Sequence, residues 1–257
     1  MKILFTLTLL FFISLCPFAT SVAATVEMAF GEKIAPFCFP ETDSGIEVDI
    51  IREALAFKGH VLVPLYFPFA RIPVEFKNKT VDAAMTDLGE DLTPFGGFYG
   101  DPAVIYHNVF ISLKARDIQI NKPEDLNGLS VISFVGAVKR YPEWLTPVKQ
   151  SGRYFEQNNQ LLQVLTLNKG RYDLVLSDRS IFKYFSQLLQ SRKNFVTHPI
   201  QEHKFTDVDP LDYRPIFNDA AIRDDFNQGL ALLISSGRYQ AIYDKYLNSN
   251  SSTVTLP

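Results

Sequence analysis

Apolar and polar residues follow two alternating patterns along the chain. Short β-rich runs at 25–30, 61–65 and 81–85 predict strands. Between the first two, the segment 47–57 carries apolar residues at helical spacing, and a short helix is expected at 70–77. This order of strand and helix predicts an α/β fold with largely parallel sheets.

The second half of the chain repeats the pattern. Runs at 130–134, 172–177 and 194–197 predict strands, whereas 160–167 and 181–189 predict helices. The segment 77–87 also resembles 167–178, since each reads as a turn followed by a strand that contains Asp. Two similar lobes would explain this internal similarity.

Two further segments complete the predicted architecture. The run VIYHNVFISL (104–113) is too long for an ordinary buried strand, so we expect it to pass between two structural units. Near the C-terminus an apolar helical stripe is interrupted at Gly237 and then continues. The tail after it (249–257) is expected to be disordered.

The N-terminus has the features of a secretory leader. Lys2 precedes an uncharged apolar run at 3–15, and small residues end at Ala24. The apolar run is shorter than the roughly 20 residues of a membrane-spanning helix. We therefore expect residues 1–24 to be a cleaved signal peptide and the mature chain to be periplasmic and soluble.

Composition argues against a nucleic-acid-binding function and against an internal disulfide. The formal net charge of −3 argues against nucleic-acid binding, which favours a basic surplus. Of the two cysteines, only Cys38 lies beyond the leader, so the mature chain has no second cysteine for an internal disulfide.

No motif in the sequence indicates a catalytic or metal centre. The chain has no G-x-S-x-G, Walker, H-E-x-x-H or C-x-x-C motif, and its four histidines are scattered. The acidic group Asp87, Glu90 and Asp91 lacks the spacing of a calcium loop. We expect no metal, no cofactor and no enzymatic activity.

Seven fragments carry a family resemblance. They are APF (35–37), GIEVDIIREAL (45–55), KTVDAAMTD (79–87), YGDPAVIY (99–106), KPEDLNGLSVISFVG (122–136), LNKGRYDLVLSD (167–178) and the C-terminal helix pair (226–247). In order and spacing the set resembles the periplasmic solute-binding proteins of the polar amino-acid class, family 3, which have the type II two-lobed fold.

The resemblance implies an architecture and a way of working. Lobe 1 would comprise 25–108 and 210–257, and lobe 2 would comprise 109–209. Each lobe would hold a mixed sheet flanked by helices, with two crossing hinge strands between the lobes. A small polar solute would bind in the cleft, and the lobes would close over it by hinge motion.

The resemblance also indicates two acidic ligand contacts. Asp178 occupies the place where amino-acid binders receive the ligand ammonium, although it is equally suited to cap the helix that follows. Asp87 and the preceding Thr86 leave the corresponding strand of lobe 1. The Arg that normally binds carboxylate is missing, because no Arg occurs between residues 72 and 115.

Four other residues are candidate contacts. Arg71 is the candidate replacement for the missing Arg, with a surface ion pair to Glu75 as its alternative role. Phe37 is either an aromatic ligand contact or a core residue. Gly136 and Ala137 align with a Gly-Thr pair at a helix start, but Ala137 lacks the hydroxyl group.

Besides a purely structural or interaction protein, three functions stay open at this point. The first is a monomeric binding protein for a cationic solute or a non-standard amino acid, working with an inner-membrane ABC importer or a membrane sensor. The second is a conventional amino-acid binder that uses Arg71. The third is an enzyme on the same fold, similar to cyclohexadienyl dehydratase, with Glu90 or Asp91 as the acid.

Overall fold

The computed structural model describes most of the chain beyond the predicted leader. The described residues are 23–32, 34–86, 89–192, 195–209 and 211–248. The predicted leader and the predicted disordered tail lie almost wholly outside these ranges, and Asp87 lies outside them too. No helix in the described part of the chain is long and apolar enough to cross a membrane.

Strands and helices alternate as the apolar pattern predicts. The strands are β1 (Thr25–Gly31), β2 (Val61–Phe67), β3 (Ala83–Thr86), β4 (Phe98–Tyr99), β5 (Asn108–Leu113), β6 (Val131–Ser133), β7 (Tyr154–Glu156), β8 (Leu174–Asp178), β9 (Ile200–His203) and β10 (Arg214–Phe217). The helices are α1 (Ile46–Ala56), α2 (Ile72–Lys77), α3 (Ala137–Arg140), α4 (Pro142–Gln150), α5 (Gln160–Asn168), α6 (Arg179–Gln190), α7 (Ala220–Ser235) and α8 (Arg238–Leu247).

The strands form two sheets with the same plan. The orders are β2-β1-β3-β10-β4 and β7-β6-β8-β5-β9. In each sheet the first three strands are parallel, and the fourth runs antiparallel to both of its neighbours. The predicted α/β fold with mixed sheets is confirmed, whereas the expectation of largely parallel pairing is wrong.

The internal similarity in the sequence has a structural cause. It aligns β3 with β8, the third strand of each sheet. Just before β3, the Asp82 carboxylate accepts the backbone N–H of Glu27 at 2.9 Å. Just before β8, the Asp173 carboxylate accepts the N–H of Ser130 at 2.8 Å. Each Asp therefore joins the start of its strand to the neighbouring parallel strand.

Two strand predictions need correction. In the run 104–113 only Asn108–Leu113 is a strand. The residues before it bond outside any sheet, since the His107 N–H donates to the Asp178 carboxylate at 2.7 Å. The strand expected at 194–197 is absent from the described residues there, and the pairing strand is β9 instead.

Helix packing brings the two halves of the chain together. Gly229 on α7 allows close approach to α1, because a Cβ at this position would lie 2.0 Å from the carbonyl oxygen of Ala54. On α6, Ile181 joins the core of the first sheet, whereas Phe182 and Leu189 join the core of the second. Helix α6 therefore buries residues in the cores of both sheets.

Candidate functional site

The two sheets end in matching positions at β3 and β8. Thr86, the last residue of β3, pairs with Arg214 of the antiparallel strand β10. Asp178, the last residue of β8, pairs with Asn108 of β5. The carboxyl ends of parallel strands are where open α/β sheets bind ligands, so these pairs lie where a site is expected.

A small cavity lies at the first of these positions. Its volume is about 150 Å³. Its lining residues come from the end of β3, the segment after it, β4 and the start of β10: Thr86, Glu90, Asp91, Tyr99, Leu211, Asp212 and Arg214. The cavity therefore has room for several waters or a small ligand group.

Arg214 is the cation in this lining that sequence reasoning missed. Its guanidinium carbon lies 4.5 Å from the centre of the Tyr99 ring, a distance typical of cation–π contact. Its backbone carbonyl accepts a hydrogen bond from Thr86 Oγ1 at 3.2 Å. Its Nε is buried and has no partner among the described protein groups.

The sequence gives little indication that Arg214 lines a cavity. Strand β10 has four residues and contains Pro215, so it has no clear alternation of apolar and polar positions. The role of Arg214 depends on its pairing with Thr86, 128 residues earlier in the chain. The one available signal is an Arg that precedes a short apolar run.

The acids of the cavity are held by local partners. Hydrogen bonds from the Thr93 N–H and hydroxyl lower the pKa of Asp91, and nearby Arg214 adds a smaller effect. Glu90 pairs with Lys77 at 2.5 Å. Asp212 forms an ion pair with Arg140 at the end of α3, which links the cavity to the helix that follows β6 of the second sheet.

Asp178 is a buried helix cap. One carboxylate oxygen accepts the N–H groups of Ser180 and Ile181 at 2.8 and 3.0 Å, and the other accepts that of His107. The residue is 2% exposed. Burial raises the pKa of Asp178 to about 6, although the three N–H hydrogen bonds act in the opposite direction and lower it.

Arg71 and Phe37 have structural contacts. Arg71 Nε donates to Glu75 at 2.6 Å, and its side chain is 65% exposed. Phe37 is fully buried, and its ring centre lies 4.4 Å from that of Tyr106. Arg71 therefore makes the surface ion pair of its alternative role, and Phe37 makes the core contact of its alternative role.

Gly136 and Ala137 lie at the start of a short helix. Gly136 has a φ of 90° and precedes α3, whose four residues begin with the fully buried Ala137. Thr86 lines the cavity, whereas Asp87 lies outside the described residues. Of the predicted site residues, the structure thus brings Thr86 to the cavity and leaves Phe37 in the core.

Two aromatic residues join the segments that connect the two sheets. Tyr106 precedes β5, Tyr213 precedes β10, and their ring centres lie 4.4 Å apart. The hydroxyl of Tyr106 donates to the buried Glu47 of α1 at 3.0 Å. The two connections are therefore packed on each other and joined by a hydrogen bond to α1.

Within the described ranges, no three His, Cys, Asp or Glu side chains are arranged to hold a metal ion. The acids near the cavity form separate pairs with Lys, Arg and Thr instead.

Comparison with solved structures identifies the fold. The second substrate-binding domain of GlnP from Lactococcus lactis, in its open conformation, matches with 21% identity and a TM-score of 0.61, over 88% of this chain and 97% of that chain. A substrate-binding protein of an ABC uptake transporter from Streptococcus pneumoniae, with bound histidine, matches with 15% identity and a TM-score of 0.63, over 90% and 95%.

A third structure is a histidine kinase sensor domain with similarity to periplasmic binding proteins. It matches with 20% identity and a TM-score of 0.62, over 87% of this chain and 96% of that chain. No protein-family model matches the sequence, and no curated protein matches it significantly. At these identities the likeness shows the type II two-lobed fold.

Proposed function

We propose that this chain is an exported binding protein that captures a small polar solute between its two lobes by hinge closure. The observation that carries this function is the cavity at the carboxyl end of β3, which the Arg140–Asp212 ion pair joins to the second lobe. The lining residues all belong to lobe 1, so we propose that closure brings groups of lobe 2 against this cavity and couples ligand binding to the angle between the lobes.

The solved structures support a role in transport or sensing. One substrate-binding protein with this fold belongs to an ABC uptake transporter, and another is the sensor domain of a histidine kinase. We propose that the leader at 1–24 directs export, and that an ABC importer or a membrane sensor is the partner. No catalytic step is assigned to the cleft.

A ligand screen on the mature chain tests the function. Amino acids, amines and small carboxylates are added to the purified protein, and the melting temperature and the radius of gyration are measured. A ligand of the folded state raises the melting temperature as its concentration increases. Hinge closure reduces the radius of gyration in X-ray scattering. If no compound changes either quantity, the proposed function is wrong.

Asp178 is proposed as a ligand contact in addition to its capping role. Replacing it by Ala tests this contact, with Asp219→Ala as the matched control. Asp219 caps α7 through the N–H groups of Ala221 and Ile222 at 2.7 and 3.3 Å. Loss of binding in Asp178→Ala alone supports a contact, whereas normal binding in both variants removes Asp178 from the site.

A further inference from the structure

We infer that Arg214 binds an anionic group of the solute, most simply a carboxylate, in place of the Arg that the β3 loop lacks. This inference rests on the proposed function. It assigns the anion-binding charge to the antiparallel strand β10, because β10 places Arg214 beside the end of β3. It also makes a purely cationic solute a poor match for the cleft.

The charges around the cavity favour this assignment. Of the three acids in the lining, Glu90 pairs with Lys77, and Asp212 pairs with Arg140. The third, Asp91, accepts hydrogen bonds from Thr93 and interacts electrostatically with Arg214. The other candidate, Arg71, has its Nε on Glu75. Among the described residues, none forms an ion pair with Arg214, although it lines the cavity. An arginine in this situation has hydrogen-bond donors to offer to an anion.

The position of the guanidinium is fixed by its surroundings. The Tyr99 ring supports the guanidinium face, and the Thr86 hydroxyl holds the Arg214 backbone. A planar guanidinium is able to donate two parallel N–H groups to the two oxygens of a carboxylate. The buried Nε without a protein partner shows that the protein leaves part of its donor capacity unused.

The volume limits the size of the bound group. A cavity of about 150 Å³ lies below the range of roughly 300–1,000 Å³ typical of sites for drug-sized ligands. It has room for a carboxylate and a few attached atoms. The rest of the solute would extend toward the second lobe, on the side of Arg140.

Matched compounds test the charge of the solute. The mature protein is melted in the presence of arginine or agmatine, ornithine or putrescine, and histidine or histamine, with succinate as a carboxylate that has no amine. Each pair differs in one carboxylate. We expect stabilisation by at least one carboxylate, and none by the corresponding decarboxylated amine.

Variants test the residue. Arg214→Gln should weaken binding of the stabilising carboxylate by roughly tenfold or more, since a charge-assisted bidentate contact is lost. Arg214→Lys should give an intermediate Kd, because it keeps the charge without the fork. Arg71→Gln should bind normally. Circular dichroism and ligand-free melting establish that each variant is folded.

The outcomes separate the inference from the function. Stabilisation by amines alone, or unchanged carboxylate binding in Arg214→Gln, overturns the inference and leaves a solute receptor. Loss of binding in Arg71→Gln alone moves the anion site to Arg71. No binding in this set or in the wider screen overturns both the inference and the function.

Discussion

At the scale of single residues, Glu47 is the clearest case of a group changed by its surroundings. It is 1% exposed in the first turn of α1 and accepts a hydrogen bond from Tyr106. Burial raises its pKa to about 8, although hydrogen bonds from Tyr106 and Cys38 lower it. The folded protein therefore holds a proton on Glu47 that the unfolded chain releases above about pH 4.5.

The resulting pH dependence can be measured. The stability contribution of protonated Glu47 is fully present below about pH 4.5 and is lost as pH rises through about 8. We expect the unfolding free energy to fall across this window, by at most about 1.4 kcal/mol per pH unit. Glu47→Gln should remove this slope in urea titrations, whereas the exposed Glu143→Gln should keep it. Equal slopes in both variants would contradict the expectation.

Cys38 is expected to be unreactive while the protein is folded. It is 1% exposed, and burial together with nearby Glu47 raises the pKa of its thiol. Thiolate is the reactive form, so labelling with a thiol reagent at pH 8 should be slow in buffer and fast in urea. Fast labelling in buffer would show that the core around α1 opens readily.

At the scale of elements, the packing of α1 on α7 depends on Gly229. Alanine normally favours a helix over glycine by about 1 kcal/mol. At this position the added Cβ would meet the Ala54 carbonyl, and overpacking of this kind costs typically 1–3 kcal/mol. Gly229→Ala should therefore lower the unfolding free energy. The exposed neighbour Gln228→Ala should stay within about 0.5 kcal/mol of the parent protein.

The elements also show how far sequence reasoning reaches. Helices α1, α5, α6, α7 and α8 were predictable because their apolar residues recur at helical spacing. Strand β10 was not, since its four residues are fixed by pairing with β3. The site follows the same division: Thr86 lies at a predictable strand end, whereas Arg214 depends on long-range register.

At the scale of the whole molecule, two polar contacts among the described residues join elements of the two sheets. Lys183 of α6 donates to the side chain of Asn248, just after α8, at 2.8 Å. At the cavity, Arg140 contacts Asp212. Because the second contact lies beside the proposed ligand, its loss should favour more open lobe arrangements.

Scattering measurements test this expectation. Arg140→Ala should increase the radius of gyration of the ligand-free protein and reduce its affinity for any ligand found. Arg116→Ala is the matched control, because its ion pair with Asp173 lies within the second lobe. A radius that stays the same in Arg140→Ala would show that the ion pair does not hold the lobes together.

The order of strands in the first sheet has a consequence for biosynthesis. Strand β10 lies between β3 and β4, so this sheet is incomplete until residue 217 has been made. The strands of the second sheet all lie between residues 108 and 203. During vectorial synthesis the second sheet therefore has all of its strands first, while β3 of the first sheet still lacks its antiparallel neighbour. The sheet that holds the first strands of the chain is thus the last of the two to be completed.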